Sequence, residues 1–128
     1  MTDRLLRAIE NPYVDVLGHP TGRLLLKREP YPVDIEAVID RAARHGVAIE
    51  INSQVDRLDL NDVNARLARD RGVLLVISSD AHSMNALPSV RWGVVTARRA
   101  WLRPDDVLNT RPYEDLVPVL RRNRAKRP

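Results

Sequence analysis

The chain has 128 residues, of which 44% are hydrophobic and 30% charged, and its formal net charge is +4. This length suffices for one domain with a buried core. The chain has no cysteine, which excludes disulfides and thiolate metal sites, so any metal ligands must be His, Asp or Glu. No apolar run approaches the roughly 20 residues that cross a bilayer and no signal peptide is recognisable, so we expect a cytoplasmic protein without a membrane partner.

The first 33 residues predict a short helix, a short strand and a loop. Leu5, Leu6 and Ile9 form one apolar stripe, with Thr2 as the expected N-cap of the helix. The apolar run Val14 to Leu17 is typical of a short buried strand. The prolines in the loop that follows force an extended connection to the next element.

The second predicted strand carries polar residues on one face. A helix capped by Asp34 and stopped by Gly46 precedes it. In the strand 47–52, Glu50 and Asn52 lie on the same side because side chains alternate along a strand. Burying a charge without a partner is costly, so these two residues suggest the polar interior of an active site.

The third predicted strand leads into an Asp-x-His pair. A helix capped by Asn61 or Asp59 comes first, and its predicted inner face is Val63, Leu67 and Ala68. The next run, 73–77, is continuously apolar, as expected of a parallel strand covered on both faces.

Asp80 and His82 follow this run, and in extended geometry both side chains project to one side. A carboxylate beside an imidazole can bind Zn²⁺ or Mn²⁺. The alternative is a helix-capping Asp followed by a surface His.

Two more helices complete the pattern. Residues 87–101 predict a helix whose buried line is Val90, Val94, Ala97 and Trp101. Glu114 to Arg124 predicts a last amphipathic helix, although Pro118 is tolerable only near its start.

The order of elements is therefore that of a βαβαβ unit, which forms one of two architectures: half of a (β/α) barrel, or a small open sheet. The carboxyl ends of parallel strands lie on one rim, so His19, Glu50, Asn52, Asp80 and His82 could converge there.

Four motifs add a family resemblance to this pattern. They occupy residues 15–23 (Asp-Val-Leu-Gly-His-Pro-Thr-Gly-Arg), 50–52 (Glu-Ile-Asn), 57–60 (Arg-Leu-Asp-Leu) and 79–83 (Ser-Asp-Ala-His-Ser). In that order they resemble the PHP (polymerase and histidinol phosphatase) domain, most closely the one at the C-terminus of bacterial X-family DNA polymerases. Residues 90–94, 97–101 and 109–110 resemble the same subgroup, and the resemblance extends from Thr2 to about Leu120.

The resemblance implies a distorted (β/α)₇ barrel whose His and carboxylate ligands hold up to three metal ions. It also implies phosphoester hydrolysis and, in the polymerases, 3′→5′ exonuclease and related DNA-repair activity on DNA 3′ ends. His19, Asp80 and His82 match metal ligands, with Mn²⁺ or Zn²⁺ as the expected ions.

Four further positions match the rim of the family's site. Glu50 and Asn52 match substrate-binding positions. Arg23 and Arg57 match catalytic positions where a guanidinium could hold a phosphate oxygen. The alternative for each Arg is an ion pair with a nearby carboxylate such as Asp59.

The family's opening His-x-His motif, bridging Glu and intermediate His would all precede Met1. The sequence thus predicts the C-terminal part of a PHP barrel at 1–120, with about three parallel strands and flanking helices, and a basic tail at 121–128. We expect a single weak metal site, no turnover by the chain alone, and either self-association or pairing with the N-terminal half.

Three other functions remain open from the sequence. The chain could be a non-catalytic remnant, a nucleic-acid-binding module that uses the basic tail, or a PHP phosphatase acting on a small phosphomonoester.

Overall fold

The computed structural model describes residues 1–120 as an α/β fold. The strands are β1 (Val16–Leu17), β2 (Ala48–Asn52) and β3 (Leu75–Ser78). The α-helices are α1 (Thr2–Glu10), α2 (Ile35–His45), α3 (Asp62–Asp70), α4 (Val90–Arg99) and α5 (Tyr113–Leu116). Short 3₁₀ helices lie at Met84–Ser89, Pro104–Asp106, Leu108–Thr110 and Val117–Val119. The basic tail predicted at 121–128 lies outside the described residues.

The three strands form one parallel sheet in the order β1-β2-β3. The middle strand β2 is the most buried, and Ile49 and Ile51 have no exposed surface. Residues on both faces of β2 are buried, with Ala48 and Asn52 on one face and Ile49 and Ile51 on the other, as expected of a parallel strand covered on both sides. This confirms the predicted fold class of about three parallel strands with flanking helices, consistent with part of a (β/α) PHP fold.

Local sequence signals position α2 and α3 as predicted. The Asp34 side chain accepts a hydrogen bond from the Ala37 amide, and Gly46 ends α2 in the left-handed conformation at φ 66°. Asn61, rather than Asp59, caps α3 by accepting from the Asn64 amide. These caps fix where each helix begins and ends, and hence the loops that lie between helix and strand.

The predicted inner faces of α3 and α4 are partly wrong. Val63 is 71% exposed, and Val94 and Trp101 are 44% and 69% exposed. The buried residues are instead small ones: Ala65, Ala68, Gly93, Thr96, Ala97 and Ala100. Small side chains let these helices approach the sheet and each other closely, which a pattern based on large apolar residues cannot anticipate.

Glycine at position 93 is what allows α4 to lie against the sheet. A Cβ atom at this position would lie 2.6 Å from Cγ2 of Ile77 and would also collide with Ser53. Ile77 is on β3 and Ser53 directly follows β2. The helix backbone therefore packs directly over the carboxyl ends of two strands.

The outer edge of β3 is partly covered by the chain itself. Val107 makes a parallel bridge to Leu75, and the Asn109 side chain both accepts from the Ile77 amide and donates to the Ile77 carbonyl. An amide side chain thus takes the place of a neighbouring strand at Ile77.

The predicted helix from Glu114 is shorter than expected. It corresponds to α5 and the 3₁₀ helix Val117–Val119, and its predicted residues 121–124 lie outside the described range. Pro118 lacks an amide hydrogen, which explains why the α-helix stops before it. Within residues 1–120, no helix combines the length and the apolar character needed to span a membrane.

Candidate functional site

Glu50 ties together the carboxyl ends of all three strands. Its carboxylate accepts hydrogen bonds from the His19 amide at 2.6 Å and from the Ser78 hydroxyl, and it lies 3.4 Å from Nδ2 of Asn52. Because His19 follows β1 and Ser78 ends β3, one β2 side chain holds the rim in register. Of the residues predicted to converge, Glu50, Asn52 and the backbone of His19 therefore lie together.

Asn52 connects this rim to the Asp-x-His loop. Its side chain is fully buried, and Nδ2 donates to Oδ2 of Asp80 at 3.0 Å. Its Oδ1 accepts from the amide of Gln54, and the Gln54 side chain donates to the Asp80 carbonyl at 2.5 Å. Asp80 has φ 49°, a left-handed conformation that is unfavourable for most residues, and these contacts hold it there.

Both predicted imidazole ligands are exposed at this rim. Nδ1 of His82 lies 2.7 Å from the Asp80 carbonyl oxygen. A carbonyl oxygen only accepts, so this contact places the proton on Nδ1 and leaves the lone pair on Nε2, the arrangement that a metal-binding histidine needs. His19 is fixed through its backbone amide, and its own φ is 25°.

The two predicted arginines differ in what they contact. Nε of Arg57 lies 3.9 Å from Oδ2 of Asp80, so its charge is at the rim beside the Asp-x-His loop. The Arg23 guanidinium instead donates to the backbone carbonyls of Arg57 and Leu58. Arg23 thus fixes the loop that carries Arg57, while Arg57 is the better placed of the two to meet a phosphate.

Asp59 is a buried carboxylate that the sequence did not single out as part of the site. Its Oδ2 accepts from the amides of Thr21 and Gly22 at 3.0 and 3.1 Å, so it holds the loop that begins at His19. Burial raises the pKa of Asp59, opposed by the hydrogen bonds from Thr21 and Gly22 and by the charge of Arg23. Its other oxygen, Oδ1, has no hydrogen-bond partner in the described part of the chain.

The donor atoms have the right chemistry for Zn²⁺ or Mn²⁺, but within residues 1–120 they do not make a complete site. No group of three or more His, Asp or Glu residues in this range is close enough to hold an ion. His19, Asp80 and His82 therefore remain predicted ligands, and Glu50 and Asn52 remain predicted substrate contacts.

Two residues of the rim escaped the sequence analysis. Ser78 pairs in register with Asn52 and ends the strand that precedes Asp80, so its position was a usable signal. Gln54 gave no such signal because it lies in a loop, where alternation does not apply.

Comparisons with known proteins find relatives that align with most of the chain. The chain is 40% identical over 120 residues to the DNA polymerase/3′-5′ exonuclease PolX of Bacillus subtilis (strain 168), covering 94% of the chain and 21% of that protein. The PHP resemblance is confirmed. The PHP-like chain is also 34% identical over 115 residues to a probable phosphatase of Thermoanaerobacter sp. (strain X514), covering 85% of the chain and 44% of that protein.

A third relative, a probable phosphatase of Edwardsiella ictaluri (strain 93-146), is 32% identical over an alignment of 129 positions, which covers 96% of the chain and 50% of the relative. The PHP-like chain thus spans half or less of the length of these curated relatives. No protein-family model matches it.

Proposed function

We propose that the PHP-like chain forms part of the active-site rim of a metal-dependent phosphoesterase that removes nucleotides from DNA 3′ ends. The observation that carries this proposal is the network centred on Glu50 and Asn52, which gathers the His19 loop, Ser78 and Asp80 at one edge of the sheet. The similarity to a DNA polymerase/3′-5′ exonuclease over 94% of the chain favours a DNA substrate.

In this proposal the residues of the chain bind and orient the phosphoester. Arg57 donates to a non-bridging phosphate oxygen, for which a guanidinium fork is suited. Its present neighbour, the Asp80 carboxylate, is 3.9 Å away, too far for a hydrogen bond, so its donors are available. Arg23 acts through the backbone by holding the Arg57 loop, and it is a positioning residue.

The test is a chimera in which this chain replaces the matching 120 residues of the Bacillus subtilis PolX. We expect the chimera to degrade a 3′-labelled single-stranded oligonucleotide with Mn²⁺, and Asp80→Asn in the chimera to lower that rate at least about 100-fold. Asp105→Asn, the same change at an exposed position, is the matched control and should leave the rate unchanged. Polymerase activity of the same preparation, together with a thermal melt that shows cooperative unfolding of the replaced part, reports whether the chimera is folded.

Two results would contradict the proposal. One is a chimera that polymerises normally but has no metal-dependent exonuclease activity. The other is exonuclease activity that Asp80→Asn leaves intact. The isolated chain is expected to show only background hydrolysis, because within residues 1–120 no complete metal site is present.

A second candidate is hydrolysis of a small phosphomonoester. It is favoured by the similarity to two probable phosphatases at 34% and 32% identity. A chimera made with the Thermoanaerobacter relative distinguishes the two: release of phosphate from a small monoester without degradation of DNA would favour this candidate.

A further inference from the structure

The two tryptophans of the chain occur in one basic segment that the proposed site does not use. Residues 84–103 contain both of them and four arginines, with no acidic residue. Trp92 and Trp101 are 41% and 69% exposed, although large aromatic side chains are usually well buried. An arginine lies over each ring, with guanidinium-to-centroid distances of 5.0 Å for Arg91 over Trp92 and 5.9 Å for Arg66 over Trp101.

Trp92, but not Trp101, lines a groove that leads to the proposed site. The groove has a volume of about 280 Å³, and its lining includes Arg23, Asp62, Trp92, Val95 and Arg99. Arg23 contacts the carbonyls of Arg57 and Leu58, so one end of the groove adjoins the loop that carries Arg57. The other end is the exposed side of α4.

The chemistry of the groove fits a flat, apolar group attached to an anion. Trp92 and Val95 supply apolar surface in the groove. The one carboxylate among the lining residues, Asp62, is neutralised by Arg99, whose Nε donates to Oδ2 of Asp62 at 3.0 Å. Arg91 and Arg98 add charge nearby, and among residues 1–120 neither makes an ion pair.

We propose that this groove binds one nucleobase of a single-stranded polynucleotide by stacking on Trp92, with the adjoining phosphates attracted by the exposed Arg91 and Arg98. Such stacking tolerates any base sequence, and the charge provides salt-dependent attraction to the backbone. The volume is near the lower limit of about 300 Å³ for ligand pockets, which suits a single base rather than a duplex. The inference rests on the proposed function, because the groove would hold the strand whose end is cleaved.

The first experiment measures the fluorescence of each tryptophan separately in the full chain. Metal is chelated so that binding is measured without hydrolysis. In Trp101→Phe the sole tryptophan is Trp92, and its fluorescence should be quenched saturably by a single-stranded oligonucleotide. In Trp92→Phe the sole tryptophan is Trp101, and its fluorescence should change little. Equal quenching in both variants, or none in Trp101→Phe, would overturn the inference.

The second experiment measures the affinity for a labelled oligonucleotide by anisotropy. Trp92→Ala should weaken binding by about 5- to 100-fold, as expected for losing one base–aromatic stack. Trp101→Ala, the matched control, should change the affinity by less than about two-fold. An unchanged affinity in Trp92→Ala, or the same loss in both variants, contradicts the inference.

A charge placed in the groove gives an independent readout if Trp92→Ala fails to fold. Val95→Glu changes an exposed side chain and should weaken single-strand binding, whereas Tyr13→Glu adds the same charge at an exposed position outside the groove. All these binding assays exclude metal, so their outcome is independent of hydrolysis. If the chimera lacks exonuclease activity but the chain still binds the oligonucleotide through Trp92, only the proposed function is contradicted. Exonuclease activity together with binding independent of Trp92 would contradict only this inference.

Discussion

The carboxyl ends of the strands and the outer face of α4 differ in which kinds of side chain they bury and which they expose. At the strand ends, polar side chains are buried and bonded to one another: Asn52 has no exposed surface and contacts both Glu50 and Asp80. On α4, large apolar side chains are exposed, and the buried face consists of small ones. Buried polar groups need partners within the chain, whereas exposed apolar groups are free to meet a ligand.

This difference separates residues that build the site from residues available to bind. Glu50 and Asn52 hold the strand ends together, while His19, His82 and Trp92 are accessible. Substitutions at the first kind should therefore reduce stability, and substitutions at the second kind should reduce binding with little effect on stability. The following predictions test that separation, beginning with the largest expected effect.

Gly93 lies where the two regions meet, and Gly93→Ala should destabilise the chain most. The added Cβ would lie 2.6 Å from Cγ2 of Ile77, so α4 must move off the sheet. We expect a loss of about 3 kcal/mol in the free energy of unfolding, the upper end of the usual cost of overpacking. Urea denaturation measures it.

Gly72→Ala is the matched control for this change. Gly72 has φ 77° and no atom within 4 Å of the added Cβ, so its cost is limited to backbone strain of about 1 kcal/mol. If Gly93→Ala costs no more than Gly72→Ala, α4 does not pack against the strand ends as described.

Asn52→Asp should have the next largest effect. It removes the donor that binds Asp80 and brings a third carboxylate beside Glu50 and Asp80. A loss of about 2 to 3 kcal/mol is expected, because a buried charge would lack a partner. Asn61→Asp is the control, since Asp caps a helix as well as Asn does and α3 should be unaffected. Equal stability of the two variants would mean that the Asn52 network does not hold the rim.

Asp59→Asn should change the pH dependence of stability, and this is the smallest of the expected effects. Burial raises the pKa of Asp59 above its usual 3.8, so the folded chain binds this proton more tightly than the unfolded chain does. The stabilisation is complete below pH 3.8 and is lost as the pH rises through the raised pKa.

The Asn variant cannot titrate, so the difference in unfolding free energy between wild type and variant should fall as the pH rises from 3.8 towards neutrality. If the unfolding free energies of the two proteins vary with pH in parallel, burial does not raise the pKa of Asp59. Denaturation at matched ionic strength over this range provides the measurement.

The sequence determined the elements whose signals are local. Helix α2 follows from the Asp34 cap and the Gly46 stop, and the parallel sheet follows from continuous apolar strands alternating with helices. The placement of Glu50 and Asn52 on one face of β2 could also be predicted, because the alternation of side chains along a strand depends on backbone geometry alone.

Tertiary structure decided which helix faces are buried and what each rim residue contacts. Val94 and Trp101 fit an apolar period, yet the small residues beside them pack inward, because close approach to the sheet depends on side-chain volume rather than hydropathy. Likewise, Asp59 binds the amides of Thr21 and Gly22 from 38 and 37 residues away. Such a partner is selected only when the folded chain brings two distant loops together.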